Sequence, residues 1–354
     1  MTSVQQDLQP VAATSGTVEA LILDVGHGNS AILREGDRCV IVDAKTDKML
    51  YQALVESGVR RIEHLVLSHA DTDHIAGALR ILPNREFEVG TVWANADSTK
   101  DSMKWGELLA LLADLADSGI CKVRIGISNA DRDDLSLERV GIRILHPTLR
   151  DIGHGTGEAG KVRPEITTNG MSVVLQVNLD GRPALFLPGD VDAVGFRQIV
   201  ARADLGSAPV LVYPHHGGHS GSALESDFAD ELCMTIKPEV VVFSMGRGNY
   251  ENPLREVVER IRDSFPFIRM ACTQLSRQCH PSVPMQTDRG HLNLYPASGR
   301  ASGTCCAGSV RVRAVAGEIV VDPDVDAHRA WIGQLHDPMC IKKRDVPKAR
   351  KSQN

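Results

Sequence analysis

Aromatic side chains are scarce: 3 Trp, 4 Tyr and 7 Phe make up 4% of 354 residues. A surface that stacks many single-stranded bases is therefore not obvious. No apolar run approaches the length of a membrane span. The opening stretch, MTSVQQDLQPVAATSG, has neither a basic region nor an apolar core, so residues 1–17 read as a polar leader, expected to be disordered, and not as a signal peptide. An excess of positive charge is missing too. With 39 Lys and Arg against 45 Asp and Glu, the net charge is −6, which argues against a general nucleic-acid coat but leaves room for a local basic groove. Without a secretion signal, the 8 cysteines are expected to be reduced, in the cytoplasm, and available as thiols or metal ligands.

What is present suits a globular protein with a large core: 42% apolar and 24% charged residues. The chain is organised around SHADTDHIAGA, Ser68 to Ala78, directly after the apolar run Ile62 to Leu67. That run reads as a buried strand. His69, Asp71, Asp73 and His74 thus crowd into the step from a strand to a helix. Buried carboxylates without a cationic partner are costly. Divalent metal removes that cost, and nitrogen with oxygen donors suits zinc, manganese or iron better than calcium or copper.

The same strand-then-reactive-group pattern recurs. Ala20 to Val25 is a strand carrying Asp24 and stopping at Gly26-His27-Gly28, and Cys39 to Asp43 is another. Met171 to Val177 and Ala184 to Leu187 pair across Asp180-Gly181, a strong hairpin signal, and the second ends at Gly189-Asp190. Pro209 to Tyr213 ends at Pro214-His215-His216-Gly217. Helices are predicted over Lys48 to Val59, Met103 to Ala116 and Pro253 to Ile261, the last with Pro in its first turn. Thr148 to Thr168, rich in Gly and charge, is expected to be a long surface loop. Strand ends of this kind gather at one edge of a layered α/β core. His69 with Asp71 suits one ion and Asp73 with His74 a second. Asp190 is placed to bridge them, and His215 or His216 would complete the second. Two such ions activate water.

With these pieces in place, the chain resembles the metallo-β-lactamase superfamily, and within it the hydrolase domain of bacterial competence proteins that take up DNA. The resemblance rests on LILDVGHGNSAIL, LVLSHADTDHIAGA, TTNGMSVVLQVNLDGRPALFLPGD, PHHGG and VVFSMGRGNYENP. It implies an αββα four-layer sandwich over residues 18–273, with two divalent ions, zinc or manganese, at one edge. It implies His69, Asp71, Asp73, His74, Asp190 and His215 as ligands. Asp73, Asp24 and Asn169 become the catalytic candidates, Asp24 by orienting a ligand and Asn169 by positioning a scissile phosphate. Asp71 stands where His is commoner, Asn252 where His is usual, and Tyr213 where Lys often precedes the histidine pair. Candidate substrate contacts are His216, His219, Ser220, Asn249 and Asn252.

Residues 274–340 read as a small β-rich, Cys-containing appendage and 341–354 as a basic tail. Within the appendage, Ser309 to Val315 and Glu318 to Val321 alternate like a hairpin, and His328 to Leu335 looks like a short helix. Cys272, Cys279, Cys306 and Cys340 form a candidate structural zinc set, with Cys305 or His280 as substitutes. The expected function is metal-dependent hydrolysis of a phosphodiester in a nucleic acid or nucleotide. A lactone, thioester or amide hydrolase is the alternative, as is a catalytically weak regulatory chain with an unidentified protein partner.

Overall fold

The computed structural model describes residues 16–45, 48–97, 99–157, 166–248, 250–284 and 289–342. Two sheets face each other. The first contains β1 (Val18–Ile22), β2 (Ala31–Glu35), β3 (Arg38–Val42), β4 (Arg61–Leu67), β5 (Glu88–Ala94) and β6 (Lys122–Ile125). The second contains β7 (Val140–His146), β8 (Val174–Leu179), β9 (Arg182–Leu187), β10 (Val210–Val212), β11 (Val240–Phe243) and β12 (Arg269–Cys272). A late hairpin, β13 (Val310–Val315) and β14 (Glu318–Asp322), returns to the first sheet, whose order is β14-β13-β1-β2-β3-β4-β5-β6. The second sheet runs β12-β11-β10-β9-β8-β7.

Helices α1 (Lys48–Glu56), α2 (Thr72–Ile75), α3 (Ala78–Ile81) and α4 (Met103–Asp117) cover the outside of the first sheet; Leu50, Leu54, Ile81, Leu108 and Leu112 pack there against Leu21, Ile41 and Leu65. After α5 (Leu149–His154), helices α6 (Ala193–Val200), α7 (Glu225–Ile236), α8 (Arg255–Ser264) and α9 (Val325–Ile332) cover the second sheet with Phe196, Phe228, Leu232, Ile261 and Trp331. Between the sheets, Ala20, Leu33, Val40 and Val66 meet Leu175, Val177, Leu185 and Val242. Both faces of the central strands are therefore buried, which explains why they read as continuous apolar runs and not as alternating ones. The architecture is the four-layer αββα sandwich that the motifs imply.

Direction of the strands builds the site. β3, β4, β5 and β6 pair in parallel, as do β9, β10, β11 and β12. Parallel neighbours end at the same edge, so the residues just past β3, β4, β9 and β10 are delivered together.

Three expectations change. Thr148 to Thr168 is not all loop: Thr148 and Asp151 form a reciprocal capping box that starts α5; residues 158–165 lie outside the described residues. Pro253 does not sit in the first turn of α8, which starts at Arg255. Residues 274–340 are integrated, not appended. β13 pairs antiparallel with β1, matching Ala20 with Val312. Glu19, fully buried, accepts from Arg34 Nε at 2.9 Å, Arg311 Nε at 2.6 Å and the Tyr295 hydroxyl at 3.2 Å. The 1–17 leader and the basic tail fall mostly outside the described residues. Among those described, no helix is long and apolar enough to cross a membrane.

Candidate metal centre

Asp43 anchors the site, although the motif reading passed over it. It follows β3 with φ 61°, a left-handed conformation that Asp tolerates better than most residues. Its Oδ1 accepts from the Ser68 amide at 2.7 Å; its Oδ2 accepts from Ser68 Oγ at 2.9 Å and from His74 Nδ1 at 2.7 Å. Ser68 Oγ in turn lies 3.0 Å from His69 Nδ1. With Ser68 donating to Asp43, His69 Nδ1–H donates to Ser68. One carboxylate thereby fixes a proton on Nδ1 of both imidazoles, so Nε2 is the nitrogen each ring can turn to a metal.

Those nitrogens meet Asp190. His69, His74 and Asp190 are all buried, and one ligand atom from each lies within 4.8 Å of the others. Asp190 Oδ2 is 3.5 Å from His74 Nε2. Gly189 permits this approach: its φ is +56°, and a Cβ there would meet Ser68 and Ser172 at 3.1 Å. A second group, His27, Asp73 and His216, meets the same 4.8 Å criterion. His216 gives Nδ1 to the Ser244 carbonyl at 2.6 Å, which turns Nε2 to within 3.3 Å of Asp73 Oδ2 and 3.7 Å of Asp190 Oδ2. The Asp190 carboxylate thus reaches a histidine of each group. His215 and His216 hold φ of 51° and 56°, so the backbone is strained where the two rings are delivered.

The fit to metal is tested by the polar atoms themselves. Nε2 of His69, His74, His215 and His216 are buried without a hydrogen-bond partner. Such orphaned acceptors are rare unless an ion or water completes them. Burial, followed by the neighbouring His74, lowers His69 to about 4, and burial with His216 lowers His27 to about 4, so both are neutral and able to ligate. Burial opposes ionisation of Asp73 and Asp190, but the surrounding histidines outweigh it and hold both below the usual carboxylate range. Burial would lower His74, yet flanking Asp190 and Asp43 raise it well above the ordinary value, so without metal its ring keeps a proton on Nε2 that a bound ion would displace. The donor set is the neutral-nitrogen and carboxylate mixture that zinc and manganese accept.

The other expected site residues divide. Asp71 stands at the rim, with Oδ2 3.8 Å from His69 Nε2 and Oδ1 bound by the Lys100 ammonium. His215 lies beside Asp190, Nδ1 to Oδ2 at 3.8 Å. His216, expected mainly as a substrate contact, is the ring that joins Asp73. Asn169 lies in the turn before Met171 and Ser172, and Val173 of the same segment donates to the Ser68 carbonyl at 2.9 Å; the Asn169 Oδ1 is buried and unpartnered.

Asp24 does not orient a ligand. Its carboxylate accepts from Gly26 at 3.1 Å, Gln274 at 2.8 Å and Gly299 at 2.9 Å, fastening the late segment to β1. Ser220 is buried, and its hydroxyl donates to Glu225 at 2.6 Å. His219 is exposed, 3.6 Å from Glu225. Asn252 props the His215 carbonyl at 3.4 Å, and Tyr213 is buried in the outer core of the second sheet. Asn249 lies outside the described residues. His27, which the motif reading treats only as a strand stop, stacks on exposed Tyr250 with centroids 4.2 Å apart. Its signal was the one used elsewhere: a histidine between glycines just after a strand.

Residues 23–244 match the profile described as the Metallo-beta-lactamase superfamily, and the chain belongs to that family of metal-dependent hydrolases. Among curated relatives it is similar to Competence protein ComA of Neisseria gonorrhoeae, 27% identical over 263 residues, covering 72% of this chain and 31% of that protein. It is also similar to Recombination protein 2 of Haemophilus influenzae, at 26% over 255 residues, 68% of this chain and 26% of that one. The chain thus spans about a third or less of the length of these relatives. Among solved structures, the metallo-beta-lactamase fold protein YhfI of Bacillus subtilis superposes with a TM-score of 0.44 at 12% identity, covering 72% of this chain and 96% of that one.

Proposed function

We propose that this chain hydrolyses phosphodiesters of a nucleic acid or nucleotide at a two-metal centre. The observation that carries the reading is the Asp190 carboxylate, 3.5 Å from His74 Nε2 and 3.7 Å from His216 Nε2, between two donor groups. His69, His74 and Asp190 would hold one ion and Asp73, His216 and His27 the other, with Asp71 and His215 at the margins. Ions bound there supply a water of lowered pKa and neutralise charge on the attacking and leaving oxygens. Asp43 and Ser244 accept the Nδ1–H of His74 and His216, which turns Nε2 of each ring toward the ion it would hold. Asn169 and Lys100 are the groups on hand to position a phosphate, and Tyr250 offers a flat face at the rim. Relatives named for competence and for recombination support a nucleic-acid substrate.

The test is metal content together with turnover. Protein supplied with zinc or manganese should cleave bis(p-nitrophenyl) phosphate and at least one of single-stranded DNA, double-stranded DNA or a cyclic dinucleotide. Asp190→Ala should lose both metal and activity. Turnover of lactone or thioester substrates with none on any phosphodiester overturns the substrate class; no metal bound to the histidine centre overturns the hydrolytic mechanism.

A further inference from the structure

Cysteines distant in sequence meet on the far side of β12. Cys272 ends that strand, Cys279 lies in the turn after it, Cys306 enters just before β13, and Cys340 follows α9. All four line one small void of about 10 Å³, closed by apolar Val258, Ile332 and Leu335. A space of that size holds about one water, but a water needs several polar partners and this wall offers chiefly sulfur. We propose that Cys272, Cys279, Cys306 and Cys340 bind one structural zinc ion as four thiolates, apart from the histidine–carboxylate centre.

The surroundings suit a buried thiolate set. Arg247 donates to the Leu275 and His280 carbonyls at 2.8 and 2.7 Å, and Arg262 donates to the Met339 carbonyl at 2.8 Å. Arg255 reaches the Gln278 carbonyl at 3.4 Å. These guanidiniums clamp the segments that carry Cys279 and Cys340; Arg255 and Arg262 also pair with Asp337 and Asp263, so Arg247 is the cation that offsets the excess negative charge of a four-thiolate zinc site. The Met339 amide donates to the Cys279 sulfur. His328, buried and held at about 3 by burial and by His291, is a neutral ring whose Nε2 lies 3.3 Å from Cys306 Sγ, placed to donate to a thiolate from outside the ligand shell.

The two substitutes are otherwise occupied. Cys305 Sγ points to Asp24 Oδ2 at 3.4 Å, and His280 Nδ1 meets the Ser282 carbonyl at 2.7 Å. No three of the four sulfurs lie within 4.8 Å of one another, as the donor atoms of the histidine groups do, so zinc binding would require the cysteine side chains to turn inward. Burial raises all four thiols, and neighbouring thiols add to it at Cys272, Cys306 and Cys340. Metal uptake forms the Zn–S bonds and releases the thiol protons to solvent, so affinity rises with pH. The site would tie β12 and α9 to the chain end, much as a disulfide does in a secreted domain.

Elemental analysis of wild type, Asp190→Ala and Cys306→Ser tests this. Asp190→Ala should keep about one zinc per chain; Cys306→Ser should lose that zinc and keep the metal of the histidine centre. A measurement that does not depend on a variant folding runs beside it: cobalt(II) loaded into metal-stripped wild type should give an intense sulfur-to-cobalt charge-transfer band, unchanged in Asp190→Ala. Absence of that band, or a wild-type mass showing hydrogen loss from disulfide formation among these cysteines, overturns the proposal. Since the band reports sulfur ligation alone, this result is independent of whether the histidine centre is catalytic.

Discussion

Replacing Asp43 by Asn tests the centre most sharply, because Asn preserves shape and inverts chemistry. Wild-type Oδ1 receives the Ser68 amide at 2.7 Å while Oδ2 receives Ser68 Oγ at 2.9 Å and His74 Nδ1 at 2.7 Å. The Ser68 amide can only donate, so the Asn oxygen must stay there and the NH2 group takes the place of Oδ2. That group donates to His74 Nδ1, which puts the His74 proton on Nε2. It also donates to Ser68 Oγ, whose own hydrogen then turns to His69 Nδ1, so His69 is protonated on Nε2 as well. Both ligand nitrogens of the first group are closed by one substitution. The opposite flip sets NH2 against the amide and loses that bond instead.

Loss of an orienting partner typically costs 10–100-fold in metal affinity, about 1.4–2.8 kcal/mol. Two histidines of one ion are affected, so Asp43→Asn should weaken that ion by roughly 10²–10⁴-fold. Asp43→Ala leaves both tautomers unforced and should weaken it less. Stability should rank the other way: φ is 61° here, which Asn accepts and Ala resists by about 1–2 kcal/mol. Chelator-competition titration of zinc gives the affinities, and urea unfolding in excess chelator gives the stabilities. Asp43→Asn binding zinc as tightly as wild type would refute the tautomer argument, and Ala more stable than Asn would refute the backbone argument.

Glu19→Ala strips the buried Arg34 of its carboxylate, leaving the Ser57 carbonyl at 2.8 Å as its main partner; urea unfolding should show a loss of about 3–5 kcal/mol, partly recovered by Glu19→Leu with Arg34→Met. Gly189→Ala forces a side chain into a left-handed backbone with 3.1 Å contacts; it should cost more than about 1 kcal/mol and lower metal content by displacing Asp190. Burial would raise Asp151, but its Thr148 bonds and Arg202 hold it below the usual value. Its contribution is therefore complete above roughly pH 4 and fades as pH falls through the lowered value. Asp151→Asn should be less stable at neutral pH, with the gap to wild type closing in acid unfolding curves; a gap that widens in acid contradicts the assignment.

The site was readable from sequence where chemistry is local. Four donors within six residues after an apolar strand announce themselves, and Gly189-Asp190 and His215-His216 share the strand-end position. Asp43 and His27 occupy that position too, but each stands alone, and a lone Asp or His after a strand is ordinary. Only the parallel alignment of β3 with β4 reveals that Asp43 lies under His74. Asp24 and Ser220 show the converse: their partners, Gly299 and Glu225, engage them through the fold, which no local pattern displays. The late hairpin was visible as alternation around Gly317. Its pairing with β1 was not, because register between strands so far apart leaves no local trace. The capping box of α5 was present in sequence as Thr148 and Asp151, masked by the glycines after it.

Charge links the centre to the proposed substrate class. The carboxylates of Asp43, Asp71, Asp73 and Asp190 outnumber the nearby cations Lys100, Lys45 and the raised His74, while His69 and His27 are held neutral. The protein side of the centre is therefore negative and would repel a phosphodiester by itself. Two divalent ions more than cancel that excess, leaving a positive centre that attracts an anion. A neutral lactone or amide is not attracted by that net charge, whereas a phosphodiester would be drawn in only when the site is loaded. Asp71 tightens this dependence. It adds a negative charge at the rim, and the Lys100 ammonium, bound to Asp71 Oδ1, meets that charge without removing the demand for metal.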